Sequence, residues 1–308
     1  MANGKASTFR TFPFRGEVLK HSRLYCGLAT IGLAATPAPL KPPSKIAALF
    51  GEDHGTVDAF GLTLVGGPLS GDSPTACAIS AGGVGMLRRK GASAVLNEDC
   101  AFAFDDGRRV IHAIADGHHG HEASHRTVEL LAAMVEGSKG LITPEEALAQ
   151  LHALWLEAGG EAEAEGDGSR CTLAILSIDR GEGVLEGVCL GDSGIFVGNM
   201  EVGIRRVVPP NTFYMAPWDR GSHGIPPSTH FKVPVRSGDW VLTCSDGIHE
   251  CRYETPDESI GAEELESLMI RAGRSPEALV ESAVMLALAG VRGHQGGEDN
   301  LALVASIA

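Results

Sequence analysis

The sequence predicts an α+β fold in which helices pack outside antiparallel sheets. Three observations lead there. Short segments with strand character follow one another in runs, bounded by Gly, Asp or Asn. Helix-like segments come in pairs between those runs, so the strict alternation of a parallel βαβ protein is missing. The 308 residues are 44% hydrophobic and 21% charged, the balance of a folded chain that can bury a sizeable core. Aromatics make up only 5% and glycine 40 residues, so the core must be built from Ala, Val, Leu and Ile, with frequent turns.

Residues 1–50 hold Pro13, Pro37, Pro39, Pro42 and Pro43 and no hydrophobic period, and read as an N-terminal extension. Residues 51–308 read as the domain proper. Within it, 51–74 are Gly-rich, with an apolar stretch at Phe60–Val65 suited to a strand. The next strands are Ala76–Val84, Cys100–Phe104 and Val110–Ala115. A helix over Glu122–Glu136 carries Ala123, Val128, Leu131 and Val135 on one side. Thr143-Pro144-Glu145-Glu146 is a capping box with Pro at the first helical position, and opens a helix with Ala147, Leu148, Leu151, Leu154 and Trp155 on one face. Strands follow at Thr172–Ile178, Val184–Leu190 and Ile195–Gly198. The stretch Val197–Asp239, with Pro209, Pro210, Pro217, Pro226 and Pro227, reads as an irregular flap in which Trp218 is a packing anchor. Trp240–Cys244 is a strand, Ala262–Ala272 a helix, Ser275-Pro276 the cap of a helix running to about Ala289, and Leu301–Ile307 the last strand.

The formal net charge is −14, which disfavours nucleic acid and anionic membrane surfaces as partners. Residues 1–50 have seven basic residues and one acidic one, a net of +6, so the acidity lies in the body. Seven cysteines form no C-x-x-C pair, which argues against a disulfide framework and for a reducing, cytoplasmic setting. Leu24–Ala38 follows basic residues like a weak signal-peptide core, but its polarity and the odd cysteine count weigh against that reading. No stretch is apolar enough to span a bilayer, and a monomer is the expected state.

Chemistry concentrates at strand ends. Asn97-Glu98-Asp99 precedes one strand, Asp116-Gly117-His118 follows another, Ser245-Asp246-Gly247 follows a third and Glu298-Asp299-Asn300 precedes the last. A single Asp-Gly is ordinarily a turn. Four carboxylate groups converging from strand ends would repel one another unless cations sat between them. Hard divalent ions such as Mg²⁺ or Mn²⁺ suit an all-oxygen shell, and a pair of them can activate water and hold a phosphoryl group.

Asn97-Glu98-Asp99, Ala115-Asp116-Gly117-His118-His119-Gly120-His121, Gly191-Asp192-Ser193, Ser245-Asp246-Gly247 and Asp299-Asn300 together resemble, in order and spacing, the motifs of the PP2C-type (PPM) metal-dependent serine/threonine phosphatases. The resemblance covers roughly residues 75–308. It implies a four-layer α-β-β-α sandwich, two packed antiparallel sheets flanked by helix pairs. It implies two Mn²⁺ or Mg²⁺ ions and a possible third: Asp116 bridging, Glu98 and the Gly117 carbonyl completing one, Asp246 and Asp299 the other, and Asp167 helping to hold the third. It further implies that Asp99 orients metal-bound water, that His118 protonates the leaving alkoxide, and that Asp192 and Asn300 support the site. The reaction it implies is hydrolysis of phosphoserine or phosphothreonine in a protein by a metal-activated water, without a covalent enzyme intermediate.

The match departs from the family pattern at three places. The family's phosphate-gripping Arg falls on Ala94; Arg89 and Lys90 upstream are the candidate substitutes, or else a solvated basic patch with Arg88. Gly194 stands where the family often has Arg, and Val197–Asp239 is short for the lobe that shapes substrate access. The first departure keeps two other readings open: a catalytically weak PP2C-like binding or regulatory domain, and a hydrolase of small phosphoesters. The histidines 112, 118, 119, 121 and 125 also raise a zinc reading, because His121 and His125 are spaced for one helix face, but no H-E-x-x-H pattern joins them. There is no G-x-S-x-G, P-loop or G-x-G-x-x-G after a strand.

Overall fold

The computed structural model describes residues 46–54, 62–65, 68–70, 73–86, 97–165, 169–215 and 226–308. Strand alternation sets the architecture. Along β5 (Cys100–Asp105), Cys100, Phe102 and Phe104 face one way, into a core shared with two helices. Ala101 and Ala103 face the other way, into a core of Ala47, Leu49, Cys77, Ile79, Ile114, Ala302 and Val304. Both faces are therefore covered, which is why this segment is apolar without interruption.

One antiparallel sheet has six strands in the order β1 (Ile46–Phe50), β5, β6 (Arg109–Ala115), β9 (Leu173–Asp179), β10 (Val184–Leu190) and β13 (Thr229–Pro234). The second has the order β12 (Gly203–Arg206), β11 (Gly194–Asn199), β14 (Trp240–Cys244), β15 (Leu301–Ile307), β4 (Ser73–Ser80) and β2 (Leu62–Val65), with β3 (Pro68–Ser70) paired to β4. Helices α1 (Glu122–Ser138) and α2 (Pro144–Glu165) pack on the outer face of the first sheet through Val128, Leu131, Leu148, Leu151 and Trp155. On the outer face of the second lie α4 (Ala262–Ala272) and α5 (Pro276–Ala289), through Leu265, Leu268, Leu279 and Val284. This is the α-β-β-α sandwich that the sequence predicts.

Helix starts follow the capping signals. The Glu146 amide donates to Thr143 Oγ1 at 3.2 Å, and the Thr143 amide donates back to Glu146 Oε2 at 2.9 Å. Ser275 Oγ accepts from the Ala278 amide at 3.1 Å.

Three stretches differ from the sequence reading. Ile46–Phe50, assigned there to the extension, is β1 and pairs with β5, its side chains largely buried. Five residues were too few to show a period beside so many prolines. The strand expected at Ala76–Val84 ends at Ser80, and residues 84–86 are helical. The stretch Val197–Asp239 is not wholly irregular: it contains β12, paired with β11, and β13, paired with β10. Both are edge strands, where Pro234 removes no ladder hydrogen bond that the sheet requires. Phe60 and Trp218 lie outside the described residues.

A chain of polar side chains crosses the gap between the sheets. Arg180 pairs with buried Asp105 through Nη1–Oδ1 at 2.9 Å and Nη2–Oδ2 at 3.2 Å. Thr75 Oγ1 lies 2.7 Å from Asp105 Oδ2 and 2.7 Å from Ser306 Oγ. His112 closes the chain, with Nε2 at 2.6 Å from Ser306 Oγ and Nδ1 at 3.2 Å from Thr243 Oγ1.

Burial, reinforced by Arg180, lowers the His112 pKa from its ordinary 6.5 to about 3, so the ring is neutral in the fold. Between those values the unfolded chain takes up a proton that the folded chain refuses, so acid weakens the fold. The destabilisation caused by His112→Asn at pH 7.5 should therefore shrink by about 2 kcal/mol at pH 4.5, as measured by urea unfolding of both proteins. A difference independent of pH would show that His112 is not held neutral.

Candidate metal centre

Each acidic motif is pinned where a strand meets solvent. Asp116 follows β6; its carbonyl accepts from the Thr172 amide at 2.9 Å and its amide donates to Thr172 Oγ1 at 3.3 Å. Asp246 follows β14 and begins the short helix α3 (Asp246–His249). The Ser245 before it is fixed to β15, its amide donating to the Ala302 carbonyl at 2.9 Å and its Oγ accepting from the Ala302 amide at 2.9 Å. Asp192 follows β10 in a turn held by Arg206, whose Nη2 donates to the Asp192 carbonyl at 2.6 Å. Asn300 opens β15 and ties two other segments to it. Its Oδ1 accepts from the Glu98 amide at 3.0 Å and its Nδ2 donates to the Ala81 carbonyl at 3.0 Å.

The glycines of the two Asp-Gly pairs are required by close approach rather than by turning. A Cβ on Gly247 would sit 1.9 Å from the Asn300 carbonyl oxygen, and one on Gly117 would sit 2.5 Å from that of Glu98. Both contacts exclude any side chain.

These supports bring Asp116, Asp192 and Asp246 together. One carboxylate oxygen from each lies within 4.8 Å of the others. Asp116 Oδ2, Asp192 Oδ1 and Asp246 Oδ1 are buried without a hydrogen-bond partner among the described residues. Burial, then the charges of Asp99, Asp246 and Asp299, push the Asp116 carboxyl well above the usual carboxylate range. Burial and the charges of Asp299 and Asp192 do the same to Asp246. Unpartnered oxygens under mutual repulsion are the donor set that a hard divalent cation satisfies, so the residues present fit such an ion.

The structure thus brings Asp99, Asp116, Asp246 and Asp299 within electrostatic reach, as the motifs anticipate. Asp192, which the resemblance placed in support, stands instead in the three-carboxylate group. Glu98 is buried and packs against Gly117, outside that group. Asp167, Arg89, Lys90 and Ala94 lie outside the described residues. The His121 and His125 rings meet edge to face at 4.7 Å, and among the described residues they belong to no metal-competent group.

His118 stands at the rim. It lies on β7 (Gly117–His118), which pairs with β8 (Arg170–Cys171). Its Nε2 is 3.9 Å from Asp116 Oδ1, and its ring meets Tyr214 edge-on at 5.0 Å. Arg170 lies over the other reach of Tyr214, its Cζ 4.3 Å from the ring centroid. Sequence reasoning missed Arg170, Tyr214 and Arg206. The first hides in Ser169-Arg170-Cys171-Thr172, and the others lie in the stretch read as irregular.

Two antiparallel sheets, helix pairs outside them and a buried acidic cleft at the strand ends define a PP2C-type phosphatase domain. The chain belongs to the Stage II sporulation protein E (SpoIIE) family, whose model matches residues 106–307. Its fold is similar to that of RsbX in complex with magnesium, at 13% identity and a TM-score of 0.54, covering 80% of this chain and 100% of that one. It is also similar to the catalytic domain of the serine/threonine protein phosphatase PstP in complex with two manganese ions, at 21% identity and TM-score 0.53, covering 80% and 98%. A third similar structure is the PP2C phosphatase domain with a regulatory fragment of the cell fate determinant SpoIIE from Bacillus subtilis, at 17% identity and TM-score 0.52, covering 76% and 61%. No curated protein sequence matches the chain.

Removing one charge from the cluster should relieve repulsion. In EDTA at neutral pH, Asp246→Asn is expected to melt about 2–4 °C above wild type, for roughly 1 kcal/mol of relief. Millimolar Mn²⁺ should raise the melting temperature of wild type and have little effect on the variant. Equal gains with Mn²⁺ in both proteins would remove Asp246 from the metal site.

Proposed function

We propose that this protein is a Mn²⁺- or Mg²⁺-dependent phosphatase acting on phosphoserine or phosphothreonine in proteins. One observation carries the reading: in a chain of this family three carboxylates, from Asp116, Asp192 and Asp246, converge to within 4.8 Å, and each has a buried oxygen without a hydrogen-bond partner among the described residues. Similar structures holding magnesium or two manganese ions support the choice of ion.

Bound divalent ions supply charge neutralisation at the phosphoryl group and an activated water nucleophile. The remaining work falls to the chain. Asp116, Asp192 and Asp246 hold ions, with Asp99 and Asp299 close enough to add negative charge to the shell. Glu98, the Gly117 carbonyl and Asp167 are further ligands by resemblance. His118 gives a proton to the departing serine or threonine oxygen in this reading, supported by its position beside Asp116 at the rim, Nε2 3.9 Å from Asp116 Oδ1. Strand ends keep these groups fixed, so little reorganisation accompanies the reaction.

The six described cysteines are all buried and free, which suits a cytoplasmic protein. No helix among the described residues is long and apolar enough to cross a membrane. The domain runs from β1 onward, with the basic residues before it as an extension.

With Mn²⁺ present, a phosphoserine peptide should be hydrolysed, and Asp246→Asn should reduce kcat/KM about a hundredfold or more. Equal rates in wild type and variant would overturn the assignment. Hydrolysis of p-nitrophenyl phosphate without any phosphopeptide turnover would identify a small-phosphoester hydrolase instead. No turnover of either, in protein shown to bind Mn²⁺, would identify a binding domain.

A further inference from the structure

Arg170 is the one basic side chain that the structure brings to His118 across a strand pair. The two residues are direct partners in the β7–β8 register. Its guanidinium lies over the Tyr214 ring, Cζ 4.3 Å from the ring centroid, and Tyr214 also packs against His118. Tyr214 is itself held in place. The next residue, Met215, exchanges two backbone hydrogen bonds with Cys171, at 2.8 and 3.0 Å, and Asn211 is bonded to the Gly191 turn at 2.9 Å. Arg170 and Tyr214 are thus stacked by a local bridge that joins β8 to the segment leading from Asp192. Tyr214 meets the His118 ring at 5.0 Å, and His118 Nε2 is 3.9 Å from Asp116 Oδ1, which places the pair on the wall of the acidic cleft.

The donors of Arg170 are unspent. Its Nε is buried and has no hydrogen-bond partner among the described residues. A guanidinium held over an aromatic face, with a buried Nε–H left open, is costly unless a ligand uses that donor. Its fork matches two oxygens of a phosphate, and stacking on the ring removes rotamer freedom that binding would otherwise cost.

We propose that Arg170, braced by Tyr214, receives two non-bridging oxygens of the substrate phosphate monoester beside His118. This rests on the phosphatase reading above for the identity of the substrate, but the phosphate contact is measurable without turnover. No bond forms or breaks at Arg170; it binds and orients.

The test pairs steady-state kinetics on a phosphoserine peptide with calorimetric binding of inorganic phosphate to the Mn²⁺-loaded full chain. Arg170→Ala should raise KM and weaken phosphate binding, each about tenfold or more, with a smaller change in kcat. Arg170→Lys, which keeps the charge but loses the fork, should fall between. Tyr214→Ala should weaken phosphate binding, and Tyr214→Phe, which keeps the stack, should stay near wild type. An unchanged Mn²⁺ melting shift in each variant verifies the fold and the metal site. If wild type hydrolyses the peptide and Arg170→Ala retains both constants, this assignment falls and the phosphatase reading stands, with Arg89 or Lys90 the next candidates. If wild type hydrolyses nothing but binds phosphate tenfold better than Arg170→Ala, the phosphate site stands and the activity falls. Equal phosphate binding by wild type and Arg170→Ala, or none by either, overturns the assignment.

Discussion

Carboxylates that are both buried and close to one another repel at a cost no small domain tolerates for long without compensation. Asp99, Asp116, Asp246 and Asp299 are in that position, with half-buried Asp192 beside them, and much of the local structure holds them there. Asn300 spends both ends of its amide tying the Glu98 segment and Ala81 to β15. Arg206 grips the carbonyls of Asp192 and Ser193 while leaving the Asp192 carboxylate to the cleft. Gly117 and Gly247 let two backbones approach within a distance that any Cβ would forbid. The cluster is therefore preorganised by the fold, as the proposed metal-dependent function requires.

The legible parts of the molecule are those where one physical signal dominates. Ala262–Ala272 appears at the expected bounds through its helical apolar period, and the next helix through its Ser275-Pro276 cap. Strands such as Trp240–Cys244 appear because burial on both faces leaves a plain apolar run. The five residues of β1 and the half-exposed β13 carry no such signal, since their pairing is decided by partners far along the chain. The same holds within the site. Asp116 and Asp246 announce themselves as Asp-Gly at strand ends, and the motifs that contain them are recognisable in sequence. Arg170 and Tyr214 sit 44 residues apart with nothing in either neighbourhood to join them. Only the Cys171–Met215 bridge makes them a pair.

Gly194 offers a related lesson. It stands where the family often has an Arg, and a side chain there would meet Phe196, Cys244 and His249. A guanidinium does reach this turn, from Arg206 on β12, a strand that sequence reasoning did not find; its Nη2 donates to the Asp192 and Ser193 carbonyls. A residue type missing at one position can thus be present at the same turn through an adjacent strand.

The polar chain from Asp105 to Thr243 has a geometric consequence for the cleft. Asp116 extends from the sheet that carries His112, and Asp246 from the sheet that carries Thr243. The two carboxylates thus belong to different slabs of the sandwich, and their separation is a clearance between slabs. Apolar contact alone resists parting of such slabs but is nearly indifferent to sliding, because any apolar atom can replace another. Directional bonds through Thr75, Ser306 and His112 are not interchangeable in that way. They work as a keyway, fixing the lateral alignment that sets the aperture of the cleft some residues further along the same strands.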